Sequence, residues 1–116
     1  MVQELIQRVF ATRNAAHLAH WAETSGYRHT VLGEFYDDVI DFIDKFVEAY
    51  QGNFGTIEDI KLKDSDKDIM KLIEDDIVWI TTHCEEICED IEALENILQE
   101  LTGLYLSTRF KLKQLK

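Results

Sequence analysis

Large apolar residues recur at helical spacing almost from the first position. Val2, Leu5, Ile6, Val9, Phe10 and Trp21 fall on one side of a helical projection that covers Val2 to about Trp21, and Ala11, Ala15 and Ala19 cover much of another side. Small residues on a second face let another helix come close, so this helix is expected to pack on two sides, with a second subunit as one source of the extra contact. Glu23-Thr24-Ser25-Gly26 breaks the pattern, with Gly26 as the turn residue. A second helix is expected from about Tyr27 to Gln51, carried by the stripe Leu32, Phe35, Tyr36, Val39, Ile40, Ile43, Phe46, Val47 and Tyr50 and ended by Gly52. Gly33 lies inside this helix, where glycine costs stability unless close packing needs it.

Asn53 to Asp64 reads as a connection with a short helical turn at Thr56-Ile57-Glu58-Asp59. Ser65-Asp66-Lys67-Asp68 then has the look of a capping box with Ser65 as the cap. From there to Leu115 nearly every residue suits a helix. Ile69, Leu72, Ile73, Ile77 and Ile80 form one stripe, and Ile87, Ile91, Leu94, Leu98, Leu101 and Tyr105 form another. A single rod of that length would span roughly 75 Å, too long for a domain of this size, so a break is expected within Cys84–Asp90 although no glycine or proline marks it. The expected architecture is all-α and a single domain over residues 1–116: a ferritin-like four-helix bundle with a long crossover between helices two and three. The absence of proline and the presence of only five glycines agree with that class.

Charge narrows the function. The formal net charge of −11 argues against nucleic-acid binding, which depends on neutralising phosphates with Lys and Arg, and suits cations or basic partners. The basic tail of Arg109, Lys111, Lys113 and Lys116 is read as complementing a helix C-terminus. Cys84 and Cys88, four apart on a helix, do not make a disulfide scaffold, and His83-Cys84-x-x-x-Cys88 falls short of a zinc-ligand pattern. No apolar run approaches membrane-spanning length and the opening Met1-Val2-Gln3-Glu4 carries no secretory signal, so a cytoplasmic protein with no membrane partner is expected.

Three of the four histidines gather in "HLAHWAETSGYRH", residues 17–29. His17 and His20 share a face of the first helix, and His29 opens the second. The second helix also carries the acidic row Asp37, Asp41, Asp44 and Glu48, which projects beyond the edge of the apolar stripe and therefore out of the subunit's own core. The chain contains no Glu-x-x-His, which excludes the usual di-iron site inside one bundle. A site between subunits remains open. If the histidine surface of one copy meets the acidic edge of another, His20 and His29 can join the partner's Asp44 and Glu48 in a first-row transition-metal set, with iron, zinc and manganese as the cations. Asp37 and His17 are secondary candidates. A lone histidine on such a face is commonly a packing residue, and His17 is read that way first. Trp21 reads as a packing anchor, with a subunit contact as one setting for it.

The phrase His20-Trp21, His29, Asp44, Glu48, together with Glu34-Phe35-Tyr36 and Gln51-Gly52, resembles the signature of the Dps family of ferritin-like proteins over residues 14 to 52. The resemblance implies a homodimer or higher oligomer, and an intersubunit ferroxidase centre with His20 and His29 from one subunit and Asp44 and Glu48 from its two-fold mate. The chain departs from the family in a shorter turn between the histidines and in the absence of a lysine-rich N-terminal arm. A further family acid falls on Gly33, with Asp37 as the substitute. "AHxxHW" and "EFYD" are also similar to phrases in small ferritin-like proteins of tailed phages, which implies the cytoplasm of a bacterium or a phage-infected host. Two functions follow. One is a Dps-like metal protein that oxidises Fe²⁺. The other is a non-enzymatic helical-bundle interaction protein that has lost the ferroxidase centre.

Overall fold

The computed structural model describes residues 1–114, so the expected helical run to Leu115 and the cation Lys116 lie partly outside the described residues. Four helices, α1 (Val2–Ala22), α2 (Gly26–Phe54), α3 (Ile69–Cys88) and α4 (Glu92–Gln114), account for the fold, and no strand occurs among the described residues. Packing joins α1 to α2 and α3, and α4 to α2 and α3, which makes a square bundle of 43 × 25 × 21 Å. At 1.5 Å per residue α2 is about 43 Å long, so this one helix sets the length of the molecule.

Side-chain pairs give the directions. His20 meets His29 and Arg13 meets Tyr36, so α1 and α2 are antiparallel. Thr12 meets Asp76 and Arg8 meets Trp79, so α1 and α3 are antiparallel too, and α2 and α3 run parallel to each other. Segment 55–68 touches α1 near its start and again just past its middle. Gln3 Nε2 donates to the Glu58 carbonyl, and Asn14 Nδ2 donates to Asp64 Oδ1. Each helix turns an apolar face inward, and Phe35, Phe46 and Tyr105 are the largest fully buried side chains. Phe35 and Tyr105 cross edge to face at 5.2 Å, tying α2 to α4.

Several boundaries differ from the sequence expectations. Gly52 does not end α2. The helix continues to Phe54, and Gly55 closes it with φ of 92°, its N–H donating to the Gln51 carbonyl at 2.8 Å. That backbone conformation is open to glycine, and Gly52 has no such role. The expected turn at 56–59 is not helical. Asp68 caps α3 by accepting from Met70 N–H at 3.0 Å, while the expected cap, Ser65, accepts from Lys67 N–H in a local turn. The break within Cys84–Asp90 is present without glycine. Glu89 and Asp90 take it up in the left-handed region, at φ of 49° and 64°.

Candidate metal centre

The centre begins at the turn between α1 and α2. Ser25 caps α2 by accepting from Arg28 N–H, and Glu23 accepts from both the Ser25 N–H and the Arg28 guanidinium, which holds its carboxyl below the usual range. This clasp brings the last turn of α1 against the first turn of α2. There the imidazoles of His20 and His29 stack with centroids 3.7 Å apart and planes 21° from parallel. Each ring places Nδ1 2.6 Å from the other residue's backbone carbonyl oxygen. A carbonyl can only accept, so both Nδ1 atoms carry the proton and act as donors. In the neutral rings both Nε2 atoms are then lone-pair acceptors, which is the tautomer that a metal ligand needs. The His20 carbonyl lies in the last turn of α1, where helical partners run out, so the bond from His29 also satisfies a helix end.

Gly33 explains how His20 fits. A β-carbon at position 33 would lie 2.9 Å from His20 Cε1 and 3.1 Å from Nδ1, so the imidazole occupies the space that any side chain there would need. An acid at this position, as in the resembling family, would have to displace the His20 ring from where it lies. Close packing is therefore the reason for a glycine within α2.

The remaining candidates separate. His17 lies flat on Tyr36 at 4.0 Å and 12°, and tilts against Trp21 at 4.5 Å, as a packing residue would. Trp21 is 68% exposed and Leu18 62%; together with Ala11, Asn14, Ala15 and His17 they line an open hollow of about 320 Å³ on the outer side of α1. Asp37, Asp41, Asp44 and Glu48 are all exposed along α2, in agreement with their projection out of the core. Within one chain Asp44 stands about 22 Å along the helix axis from His29, and Glu48 stands farther still. Among the described residues no group of three or more His, Cys, Asp or Glu side chains could hold a metal ion. The chain therefore carries the two imidazoles at one end of the α1/α2 edge and the carboxylates of Asp44 and Glu48 toward the other.

The chain belongs to the family of unknown function DUF5856, whose match covers residues 20–112. The match takes in His20, His29, the acidic row and most of the bundle. No curated protein and no solved structure matches the chain.

Sequence reasoning missed one polar site. Asp76 of α3 is 1% exposed, and its Oδ2 accepts from Thr12 Oγ1 and, at 2.8 Å, from Tyr105 Oη. Arg8 stands 3.7 Å from Oδ1 while lying over the Trp79 ring. Burial pushes the Asp76 carboxyl up to about 6, against the opposing pull of Thr12, Tyr105 and Arg8. The signal was present in the chain: Asp76 sits within the stripe of Ile73, Ile77 and Ile80, where an inward carboxylate must find donors. At the far end of α3, Cys88 is buried and its thiol is pushed up to about 12, so it stays protonated. His83 donates through Nδ1 to the Trp79 carbonyl and stacks on that indole.

Proposed function

We propose that this chain is a Dps-like, ferritin-type subunit that binds a divalent first-row metal between two copies, with iron as the principal cation and zinc or manganese as the alternatives. The single observation that carries the reading is the reciprocal Nδ1–H bonding of His20 and His29 across two stacked rings, which in the neutral tautomers keeps the Nε2 lone pair of each ring for a ligand. The partner's Asp44 and Glu48 would complete the set. Their two negative charges neutralise a divalent ion, and imidazole with carboxylate suits Fe²⁺, Zn²⁺ and Mn²⁺. The helix directions support the ferritin-like class: α2 and α3 run parallel, joined by a segment that lies along α1, which is the long-crossover order of those bundles.

Fe²⁺ bound as a substrate supplies the electron that peroxide or oxygen takes up. The protein's part is to hold both rings in the Nε2-ligating tautomer and to exclude a competing side chain through Gly33. His20→Ala combined with Asp44→Ala is expected to abolish Fe²⁺ oxidation, followed by ferric absorbance, while helical circular dichroism persists. Oxidation kinetics equal to wild type would end the proposal.

A second reading has its own observation. With Gly33 where the resembling family carries an acid, and with Trp21 and Leu18 exposed, the chain would be a non-enzymatic bundle whose α1 face recognises a partner. It predicts no stoichiometric metal after exchange with Fe²⁺ or Zn²⁺, and uptake of one to two ions per subunit pair would exclude it.

A further inference from the structure

We infer that the outer face of α4 is a contact between two copies of this chain, with the two helices crossing antiparallel near Gly103. α4 packs on α2 and α3 and lies diagonally across the bundle from α1, so this face shares no residue with the histidine pair and does not rest on the metal reading. Glu92, Gln99, Gly103, Leu106, Phe110 and Lys113 follow one another along it at helical spacing, and all six are exposed.

Two features of the face have no use within one copy. Gly103 sits in mid-helix, where glycine costs stability, yet a β-carbon there would meet nothing within 4 Å. The His20 ring accounts for Gly33, and no neighbour in the chain accounts for Gly103. Glycine in a helix suits the close approach of something outside it. Beside it Leu106 and Phe110 are 41% and 63% exposed. Gly103 and Leu106 also border an open hollow of about 380 Å³ between α3 and α4, which has room for an incoming apolar side chain.

Charge identifies the occupant. α4 has Glu92 and Glu95 in its first turn and Lys111 and Lys113 in its last, while residues 101–108 carry no charge. A basic partner would meet the lysines, and an acidic one the glutamates. The fitting surface carries the same separation in reverse, as a second copy turned end for end does. Gly103 is the midpoint of Glu92–Gln114. A two-fold axis there lays the first turn of each helix over the last turn of the other. An axis one turn nearer the C-terminus carries Glu92 and Glu95 past the partner's last turn. One turn nearer the start carries Lys113 beyond the partner's α4, and either shift takes Gly103 off the crossing. Lys113 reaches Glu74 of its own chain at 3.1 Å, and an ammonium with three donors on a half-exposed side chain can serve a second carboxylate.

Sedimentation equilibrium in chelator tests the contact on wild type, Glu92→Lys, Lys113→Glu, their double variant, Gly103→Ala and Gly103→Leu, with circular dichroism to confirm folding. Each charge reversal is expected to weaken association about 5-fold, and the double variant to return to within about 3-fold of wild type. Gly103→Leu is expected to weaken it at least about 10-fold by blocking the crossing. Gly103→Ala should raise the urea midpoint of the chain while weakening association, opposite signs that a purely structural glycine would not give. A wild type that stays monomeric, association indifferent to Gly103→Leu, or a double variant as weak as its parents would each overturn the contact. His20→Ala with Asp44→Ala separates it from the metal reading. That variant is expected to associate through α4 as wild type does, and its loss of Co²⁺ absorption bears on the histidine site alone.

Discussion

The two polar centres of this bundle differ in where their bonding capacity ends. Around Asp76, two neighbouring helices of the same chain supply every partner: Thr12 and Arg8 from α1, Tyr105 from α4, all converging on a carboxylate that water does not reach. Around His20 and His29, two helices satisfy only half of each ring. Nδ1 is spent on the opposite backbone, and among the described residues neither Nε2 has a hydrogen-bond partner, on rings that are half-buried and exposed. A closed network of this kind defines a core, because each member is expensive to remove. An open one costs little to leave unfilled and holds its second valence ready for something outside the chain. The contrast therefore predicts that stability resides at Asp76 and binding at the histidine pair.

The largest expected effect is the pH dependence of stability at Asp76. Its folded-state value of about 6 lies above the ordinary carboxyl value of 3.8, so the protonated form is favoured in the folded chain. The stability this contributes is fully present below the unfolded value, falls as pH rises, and is gone once pH has passed about 6. The difference amounts to on the order of 3 kcal/mol. Asp76→Asn keeps an acceptor for Thr12 and Tyr105 and cannot ionise. Urea unfolding between pH 4 and 7.5 is expected to show this slope in wild type and to lose that part of it in the variant. Equal slopes in the two proteins would mean that the site is wetter than its burial implies.

Tyr105→Phe comes next. It preserves the ring that packs on Phe35 and removes one donor from a buried carboxylate, for an expected loss of about 2 kcal/mol at pH 7.5. The loss shrinks below pH 6, where a neutral carboxyl asks less of its donors. Unfolding at two pH values measures both. A loss that does not change with pH would assign the effect to packing and weaken the contrast with the histidine pair.

The two centres also differ in how far the sequence discloses them. The helices and the inward residues follow from apolar spacing, because burial of one stripe per helix leaves few other solutions. The outward placement of Asp41, Asp44 and Glu48 is legible for the same reason. The ends of elements are less so. Gly52 and Gly55 are equally good stops on paper, and only backbone direction chooses Gly55. A reversal built from Glu89 and Asp90 gives no composition signal at all. His20 and His29 are nine residues apart, and their stacking depends on how tightly the Glu23–Arg28 clasp closes the turn. Their spacing makes proximity plausible, but the shared tautomer and the fit against Gly33 are properties of the folded packing alone.

Gly33→Ala should have the smallest effect on stability and still the most selective effect on the histidine pair. In a helix, alanine gains about 0.5–1 kcal/mol over glycine. Here the added carbon would stand 2.9 Å from His20 Cε1, so the ring must swing off the His29 carbonyl and surrender its Nδ1 bond. The gain and the loss nearly offset, and the net change in unfolding free energy is expected to stay under about 1 kcal/mol. Under the metal reading function responds differently, because an imidazole released from the carbonyl that fixes its tautomer samples both tautomers and other rotamers, and ligand affinity commonly falls about 10-fold or more when such support is removed. Nitrogen-15 NMR of the rings should show a single Nδ1–H tautomer for His20 in wild type and a mixture in the variant, with Co²⁺ affinity falling alongside. If the ring signals are unchanged, His20 has somewhere else to go and Gly33 does not hold it. If they change while stability does not, the division between a centre that holds the fold and one kept open for a ligand is physical, since one added methyl group disturbs the second and spares the first.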